Sequence, residues 1–217
     1  MSPAEIEKAS FTKRIFLNGL WVLGQRAGGR LLGLVRSIIL ARLLFPADFG
    51  LIGLAMIAVA ALDCMTQSGV QQALVQKRED IRPFLDTTWA ASAIRGVLLF
   101  AGMFAAAPWV ADFFREGRLT DVIRVCALSY LFFGFMNVGV LYFEKDLRFH
   151  RQFICEASAQ VVDVVVSILV ALVTGNVWAL VWGGLAGSLA RCILSYLLHP
   201  WRPSFRFDAA RFGELFR

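Results

Sequence analysis

The uncharged stretch VVVSILVALVTGNVWALVWGGLAGSLA, residues 164–190, decides how many helices the chain forms. It is longer than the roughly 20 apolar residues that one membrane-spanning helix needs. Thr174, Gly175 and Asn176 interrupt it with residues typical of turns. We therefore predict two antiparallel helices joined by a short turn, and not one long helix.

The composition of the whole chain places such helices in a lipid bilayer. Of the 217 residues, 58% are hydrophobic and 18% are charged, and the mean hydropathy is +0.65, which excludes a soluble catalytic domain. The sequence predicts an all-α, six-helix transmembrane bundle at residues 15–198, between a cytoplasmic segment at 1–14 and an amphipathic cytoplasmic tail at 199–217. The predicted spans lie near residues 15–43, 49–70, 89–110, 122–143, 153–173 and 177–198.

The distribution of lysine and arginine predicts the orientation of this bundle. With a turn at residues 174–176, thirteen basic residues fall at one membrane surface and four at the other; without the turn the count is nine against eight. Because basic residues accumulate in cytoplasmic loops, we expect both termini in the cytoplasm. The net charge of +6 lies in these loops and inside one span, so it does not indicate binding to nucleic acid.

The sequence contains no pattern that indicates catalysis, a metal or a cofactor. The four cysteines stand singly inside apolar runs, without metal-ligand spacing. The phosphate-binding, zinc-protease and serine-hydrolase motifs are missing, and the two histidines stand alone. We therefore predict that the protein is not an enzyme.

Ionisable residues inside the apolar runs are the candidate functional residues. One arginine or aspartate at the centre of a membrane helix costs about 2.5 to 3.5 kcal/mol, so each needs a partner, a water-filled cavity or a ligand. The residues concerned are Arg26, Arg30, Arg36, Asp63, Arg95, Glu156, Asp163 and Arg191.

Arg26 and Arg30 are the candidates for ligand binding. They are four residues apart and share one helix face, about 17 Å and 23 Å from the cytoplasmic start of the first span. Two like charges on one face leave a cationic surplus, which suits an anion. The forked donors of arginine favour phosphate or diphosphate, and we expect both side chains to face the cavity of the bundle.

The other charges are interpreted as further cavity residues or as ion pairs that hold helices together. They are Arg36, Asp63, Arg95, Asp163 and Arg191. Asp163 is expected near the midplane, within reach of Arg26. Asp63 is expected level with Arg95, about 10 Å from the cytoplasmic face. Arg36 is expected near the outer surface.

Six segments carry a resemblance to a known family. They are SIILARLLFPADFGLIGL (37–54), SGVQQALVQKRED (68–80), APWVADFFREGRLTDVIRVCALSYLFFG (107–134), LYFEKDLRFHR (141–151), VWALV (177–181) and WRPSFRF (201–207). In this order they resemble the N-terminal half of the polysaccharide biosynthesis flippases. These are the Wzx-like exporters of lipid-linked oligosaccharide in the multidrug/oligosaccharidyl-lipid/polysaccharide superfamily. The most specific part is ARLLFPADFGL at residues 41–51.

The resemblance implies a transporter of two six-helix lobes around a central cavity, one of which this chain supplies. It implies that an undecaprenyl-diphosphate-linked precursor of lipopolysaccharide or exopolysaccharide crosses the bacterial inner membrane by alternating access. Cationic cavity residues would receive the diphosphate, in agreement with the arginines already singled out. The implied partners are the lipid-linked oligosaccharide, membrane lipids, and a second lobe or polysaccharide synthesis proteins.

Three other functions are compatible with a multi-pass membrane protein, and each would require a different arrangement of charge. A small-molecule exporter of the same superfamily would favour an acidic cavity. A non-transporting scaffold of a polysaccharide synthesis complex would use every buried charge in a structural pair. A membrane enzyme acting on lipid phosphates would need acids or histidines clustered at one membrane surface, and the sequence has no such cluster.

Overall fold

Helices account for nearly all of the chain that the computed structural model describes, which is residue 24 and residues 27–66, 82–140 and 149–203. No strand occurs within these ranges. In chain order the helices are α1 (27–43), α2 (Pro46–Thr66), α3 (Arg82–Phe114), α4 (Leu119–Gly134), α5 (Phe149–Thr174) and α6 (Trp178–Leu198). A single 3-10 turn, Val138–Val140, follows α4.

The helices have the surface of a membrane protein. Four described segments are long and apolar enough to cross a bilayer: Pro46–Cys64, Phe84–Phe114, Arg151–Thr174 and Trp178–Leu198. Large apolar side chains point outward, as in α5, where Val165, Leu169 and Leu172 form an exposed stripe. A soluble protein rarely exposes so much contiguous apolar surface. The chain is therefore an all-α, multi-pass membrane protein.

The turn predicted at residues 174–176 is present between α5 and α6. Gly175 has a φ of +58°, a left-handed conformation that glycine adopts without steric cost. Its N–H donates to the Ala171 carbonyl at 2.9 Å, which closes the last turn of α5. The side chain of Asn176 accepts a hydrogen bond from the Trp178 N–H at 3.1 Å, at the start of α6. Turn chemistry thus separates two helices within one uncharged run.

Helix α4 differs from the span predicted at residues 122–143, because it ends at Gly134. The chain then turns around Asn137, which is completely buried. The Asn137 N–H donates to the Ser195 hydroxyl at 3.0 Å, and its side-chain amide donates to the Trp201 carbonyl at 2.9 Å. These bonds satisfy a non-helical backbone inside an apolar stretch. Hydropathy alone could not show this interruption.

The largest apolar core lies at one end of the bundle, which we call the short-loop end. It is the end at which residues 44–45, 115–118 and 175–177 connect successive helices. Ala55 of α2, Ala107 of α3 and Ile123 of α4 are each completely buried there. A smaller cluster joins α1, α5 and α6 at the same end through Leu40, Ala171 and Ala179.

Two helix pairs approach each other closely through glycine. A Cβ atom placed on Gly96 of α3 would lie 2.6 Å from the Tyr130 carbonyl oxygen of α4, and one on Gly134 would lie 2.9 Å from the Gly96 Cα. In α6, a Cβ on Gly187 would lie 2.9 Å from the Cβ of Asp163 in α5. Small residues allow such contacts between membrane helices. They bring the polar residues of α5 and α6 beside a common cavity.

Candidate functional site

A cavity of about 760 Å³ lies between the six helices, beside the apolar core. Helices α2, α3, α4 and α6 supply most of its wall, while α1 and α5 each contribute one charged residue. Its charged and hydroxyl side chains are Arg36, Asp63, Ser92, Arg95, Ser129, Tyr130, Asp163 and Ser188. Four of the five residues interpreted as cavity charges or ion pairs therefore line the same cavity.

The first ion pair of the cavity joins α1 to α5. Arg36 Nη2 lies 3.0 Å from Asp163 Oδ1, and both side chains are about one fifth exposed. Arg36 Nε also donates to the hydroxyl of Ser167 at 3.1 Å. Ser167 in turn donates to the Asp163 carboxylate at 3.2 Å. The three side chains form a closed polar triangle within apolar surroundings.

Asp163 thus has a different partner from the one predicted. Arg26 lies outside the described residues, and it is Arg36 that reaches the carboxylate. The sequence placed Arg36 near the outer surface and Asp163 near the midplane, whereas the ion pair brings both side chains to one level of the bundle. The two helices run parallel here, since Gln160 Nε2 of α5 donates to the Gly29 carbonyl of α1 at 2.7 Å and the Arg36–Asp163 pair follows later along both helices.

The second ion pair of the cavity joins α2 to α3, as the sequence predicts. Arg95 Nη2 lies 2.5 Å from Asp63 Oδ1. The Nε of the same guanidinium donates to the Thr66 carbonyl at 3.1 Å, and its Nη2 also donates to the Asp63 carbonyl at 3.4 Å. Both carbonyls belong to the last turn of α2, and that of Asp63 also accepts a hydrogen bond from the Thr66 hydroxyl at 3.1 Å. Arg95 therefore fixes the end of α2 as well as the carboxylate.

Arg191 is an ion-pair residue and is not on the cavity wall. Its Nη2 lies 2.7 Å from Glu156 Oε2, which ties α6 to the first half of α5. Its guanidinium also lies 5.7 Å from the centre of the Phe133 ring, a distance at which a cation and an aromatic face attract each other. The sequence suggested an ion pair or a cavity role for Arg191, and the structure shows the pair.

Arg30, one of the two predicted ligand-binding residues, lies on the surface of α1 and away from this cavity. Its side chain is exposed, and no described residue forms a hydrogen bond or ion pair with it. It is about 120° around α1 from Arg36. Neither Arg30 nor any other residue of the first half of α1 is on the cavity wall.

The cavity wall is electrically balanced within the described part of the chain, with two carboxylates and two guanidinium groups. Of the three arginines in the described part of α1, Arg36 is paired with Asp163, whereas Arg30 and Arg42 are exposed and carry the cationic surplus. Within the same ranges, His, Cys, Asp and Glu form no group of three that could hold a metal ion.

Several polar residues of the site were missed from the sequence. Ser167 lies one helical turn after Asp163, so the i,i+4 spacing could have indicated its contact with the carboxylate. Tyr130 donates to the Val59 carbonyl at 3.1 Å and joins α4 to α2 at the cavity wall. Gln160 could have been noted as a polar residue within an apolar run. No sequence signal identifies its partner, the Gly29 carbonyl.

A bundle of apolar helices around a charged cavity defines a multi-pass membrane protein, and the relatives of the chain agree. The chain matches the polysaccharide biosynthesis protein family over residues 39–217 and belongs to that family. The match covers all helices from the end of α1 onward.

Two curated bacterial proteins are similar to parts of the chain. A lipopolysaccharide biosynthesis protein of Escherichia coli, WzxC, is 23% identical over 128 residues, which is 59% of this chain and 26% of that protein. An uncharacterised membrane protein in the cps region of Klebsiella pneumoniae is 24% identical over 118 residues, or 54% of this chain and 24% of that protein. The alignments thus span about a quarter of each relative.

No solved structure matches the chain significantly.

Proposed function

We propose that this chain forms one lobe of a flippase that moves a polyprenyl-diphosphate-linked oligosaccharide across the bacterial inner membrane. The observation that supports the proposal most directly is a cavity with four charged residues inside a membrane bundle of the polysaccharide biosynthesis family. Buried charge in lipid is costly, so a cavity that holds it suits a polar substrate. Alternating access would move the substrate without covalent change.

In this proposal Arg26 and Arg30 receive the diphosphate. Arg30 supports the role because it is exposed and has no ion-pair partner among the described residues. An arginine at such depth is too costly to face lipid, so the face of α1 that carries it borders water, a ligand or a second lobe. The partners are therefore the lipid-linked oligosaccharide, surrounding lipids, and a second lobe or polysaccharide synthesis proteins.

Complementation of a flippase-deficient strain tests this role. Arg30→Ala should abolish surface polysaccharide at unchanged protein abundance, and Arg30→Lys should restore it only in part, since an ammonium lacks the bidentate fork. Arg42→Ala is the matched control, because Arg42 is also exposed on α1, near the helix end. Full export by a variant with both Arg26→Ala and Arg30→Ala would overturn the diphosphate role.

The same proposal places six spans in the membrane and both termini in the cytoplasm, on the charge distribution given above. In a cysteine-free background, a membrane-impermeant thiol reagent should label Gly175→Cys from outside and should not label Lys145→Cys. Labelling of residue 145 in intact cells would contradict this orientation.

A membrane scaffold is the second candidate, and the ion pairs favour it. Arg36–Asp163, Asp63–Arg95, Arg118–Asp48 and Arg191–Glu156 each connect different elements of the bundle. If these pairs serve only the fold, exchanging the charges of Arg36 and Asp163 should restore abundance and polysaccharide production together. The balanced cavity also suits a small-molecule exporter, which would change drug resistance and leave surface polysaccharide unaffected.

A further inference from the structure

We propose that Asp163 is an internal competitor for an anion site at Arg36. Its carboxylate occupies the guanidinium until a phosphate group of the substrate displaces it. This inference rests on the proposed export function and deepens it. It adds a second anion-binding residue, in the cavity, whose availability is controlled by a carboxylate of the same chain.

The contacts of Arg36 leave part of its guanidinium available. Nη2 is bonded to Asp163 and lies 3.4 Å from the Leu180 carbonyl, while Nε is bonded to Ser167. Nη1 has no hydrogen-bond partner in the described ranges. Arg36 is on the cavity wall with 23% of its side chain exposed. An anion can therefore begin to bind Arg36 before Asp163 has left.

Arg95, the other arginine of the cavity wall, has more hydrogen bonds to backbone carbonyls than Arg36 has. Its Nε and Nη2 donate to the Asp63 carboxylate, to the Thr66 hydroxyl and to two backbone carbonyls of α2. Moving Arg95 away would break both of these backbone hydrogen bonds, which costs free energy. The main partners of Arg36 are a carboxylate and a hydroxyl. Phosphate oxygens can replace both, since they accept the same forked hydrogen bonds.

The surroundings of Asp163 allow its carboxylate to lose one partner and remain in place. Ser167 lies one turn later and keeps a hydrogen bond to the carboxylate at 3.2 Å. Gly183 and Gly187 of α6 pack directly against Asp163, since a Cβ atom on either would lie within 2.9 Å of it. Helix α6 thus fixes the backbone of Asp163 while the charged group exchanges its partner.

Two of the three arginines of α1, Arg30 and Arg36, are in different states. Arg30 has no partner among the described residues, whereas Arg36 is held by Asp163. Six residues separate them, which is about 9 Å along the helix axis. Only Arg36 is on the cavity wall, and a diphosphate in the cavity can occupy Arg36 fully only when Asp163 has been displaced. The internal carboxylate therefore sets the affinity of the deeper site.

Binding measurements on the purified 217-residue chain in lipid nanodiscs test the competition. The probe is farnesyl diphosphate, with inorganic pyrophosphate as the lipid-free comparison. Asp163→Asn should tighten binding of farnesyl diphosphate about tenfold, within the usual range of coupling between two sites. Arg36→Gln should weaken it. Tightening for both probes assigns the site to the diphosphate group, and tightening for farnesyl diphosphate alone shows that the isoprenyl chain is also required.

Glu156→Gln is the matched control. Glu156 is also a carboxylate of α5 that is paired with an arginine, but it is not on the cavity wall, so its removal should not tighten binding. Thermal melting of each variant in nanodiscs verifies that it is folded. If Asp163→Asn does not fold, Asp163→Ser should give the same tightening.

Two results would overturn the inference. Equal affinities of the wild type and Asp163→Asn would exclude competition at Arg36. Absence of binding in every variant would exclude the anion site itself. Neither result decides the export function, which is read separately by complementation with the Arg30 variants.

Discussion

The short-loop end and the cavity are parts of the same six helices, held together by different interactions. At the short-loop end, Ala107 and Ile123 are completely buried among apolar neighbours. At the cavity, Asp63 and Asp163 are each held by an arginine from another helix. Packing is insensitive to charge, whereas an ion pair can exchange its partner. The bundle therefore combines an end held by apolar packing with a region held by pairs of opposite charge.

The largest expected effect comes from placing one polar residue in each region of α4. Ile123→Asn at the short-loop end buries an amide without a partner, which costs roughly 2 to 7 kcal/mol, so little folded protein should be recovered. Ser129→Asn on the cavity wall should remain close to wild type. Yield and melting temperature in detergent measure both. Equal losses would contradict the distinction between the regions.

The next effect concerns the glycine contact beside the cavity. Gly96→Leu introduces a side chain where even a Cβ would lie 2.6 Å from a backbone carbonyl, so α3 and α4 must move apart. Overpacking of this kind costs about 1 to 3 kcal/mol or more. Gly53→Leu is the control, since a Cβ at Gly53 has no neighbour within 4 Å among the described residues. The variants should differ clearly in melting temperature.

A smaller effect is expected from breaking the Asp63–Arg95 pair. Both side chains are about one third exposed, which reduces the cost below that of a fully buried pair to about 1 kcal/mol. Asp63→Asn should therefore lower the melting temperature by a few degrees. Adding Arg95→Gln should remove part of the penalty, because no uncompensated charge then remains. A larger loss in the double variant would show that Arg95 acts mainly through the carbonyls of α2.

The smallest effect is expected at the Arg118–Asp48 pair of the short-loop end. The side chain of Arg118 is 60% exposed, and surface pairs of this kind contribute about 0 to 1 kcal/mol. Asp48 also lies in the first turn of α2, where the helix dipole stabilises its charge. Arg118→Gln should leave the melting temperature nearly unchanged. A marked drop would mean that charge also stabilises the short-loop end.

Much of the helix pattern follows from the sequence because hydropathy and turn chemistry are local properties. The turn at Gly175 could be predicted from three adjacent residues, and the pairing of Asp63 with Arg95 from their common depth. The end of α4 could not, because residues 135–140 remain mostly apolar after the helix has ended at Gly134. That interruption depends on Asn137 bonding to residues of α6 and beyond.

The site was predicted less completely than the helices. The depth of each charged residue in the membrane was predicted from the 1.5 Å rise per residue of an α-helix. Such a depth depends on where each membrane span is taken to begin. The depths expected for Arg36 and Asp163 differ, yet the ion pair brings both side chains to one level of the bundle. The rotation of α1 about its own axis, which separates Arg30 from the cavity wall, is set by packing against α5. A single sequence contains no direct record of that packing.

The close contact between α5 and α6 has a consequence for biosynthesis. Asp163 stands among apolar residues in the second half of α5, and alone in lipid it would oppose insertion by about 2.5 to 3.5 kcal/mol. The three-residue connection and the glycines at positions 183 and 187 bring α6 against that aspartate. Helices α5 and α6 are therefore expected to leave the translocon as a preformed hairpin. A nascent chain that ends before residue 178 should integrate α5 less efficiently than one that includes α6.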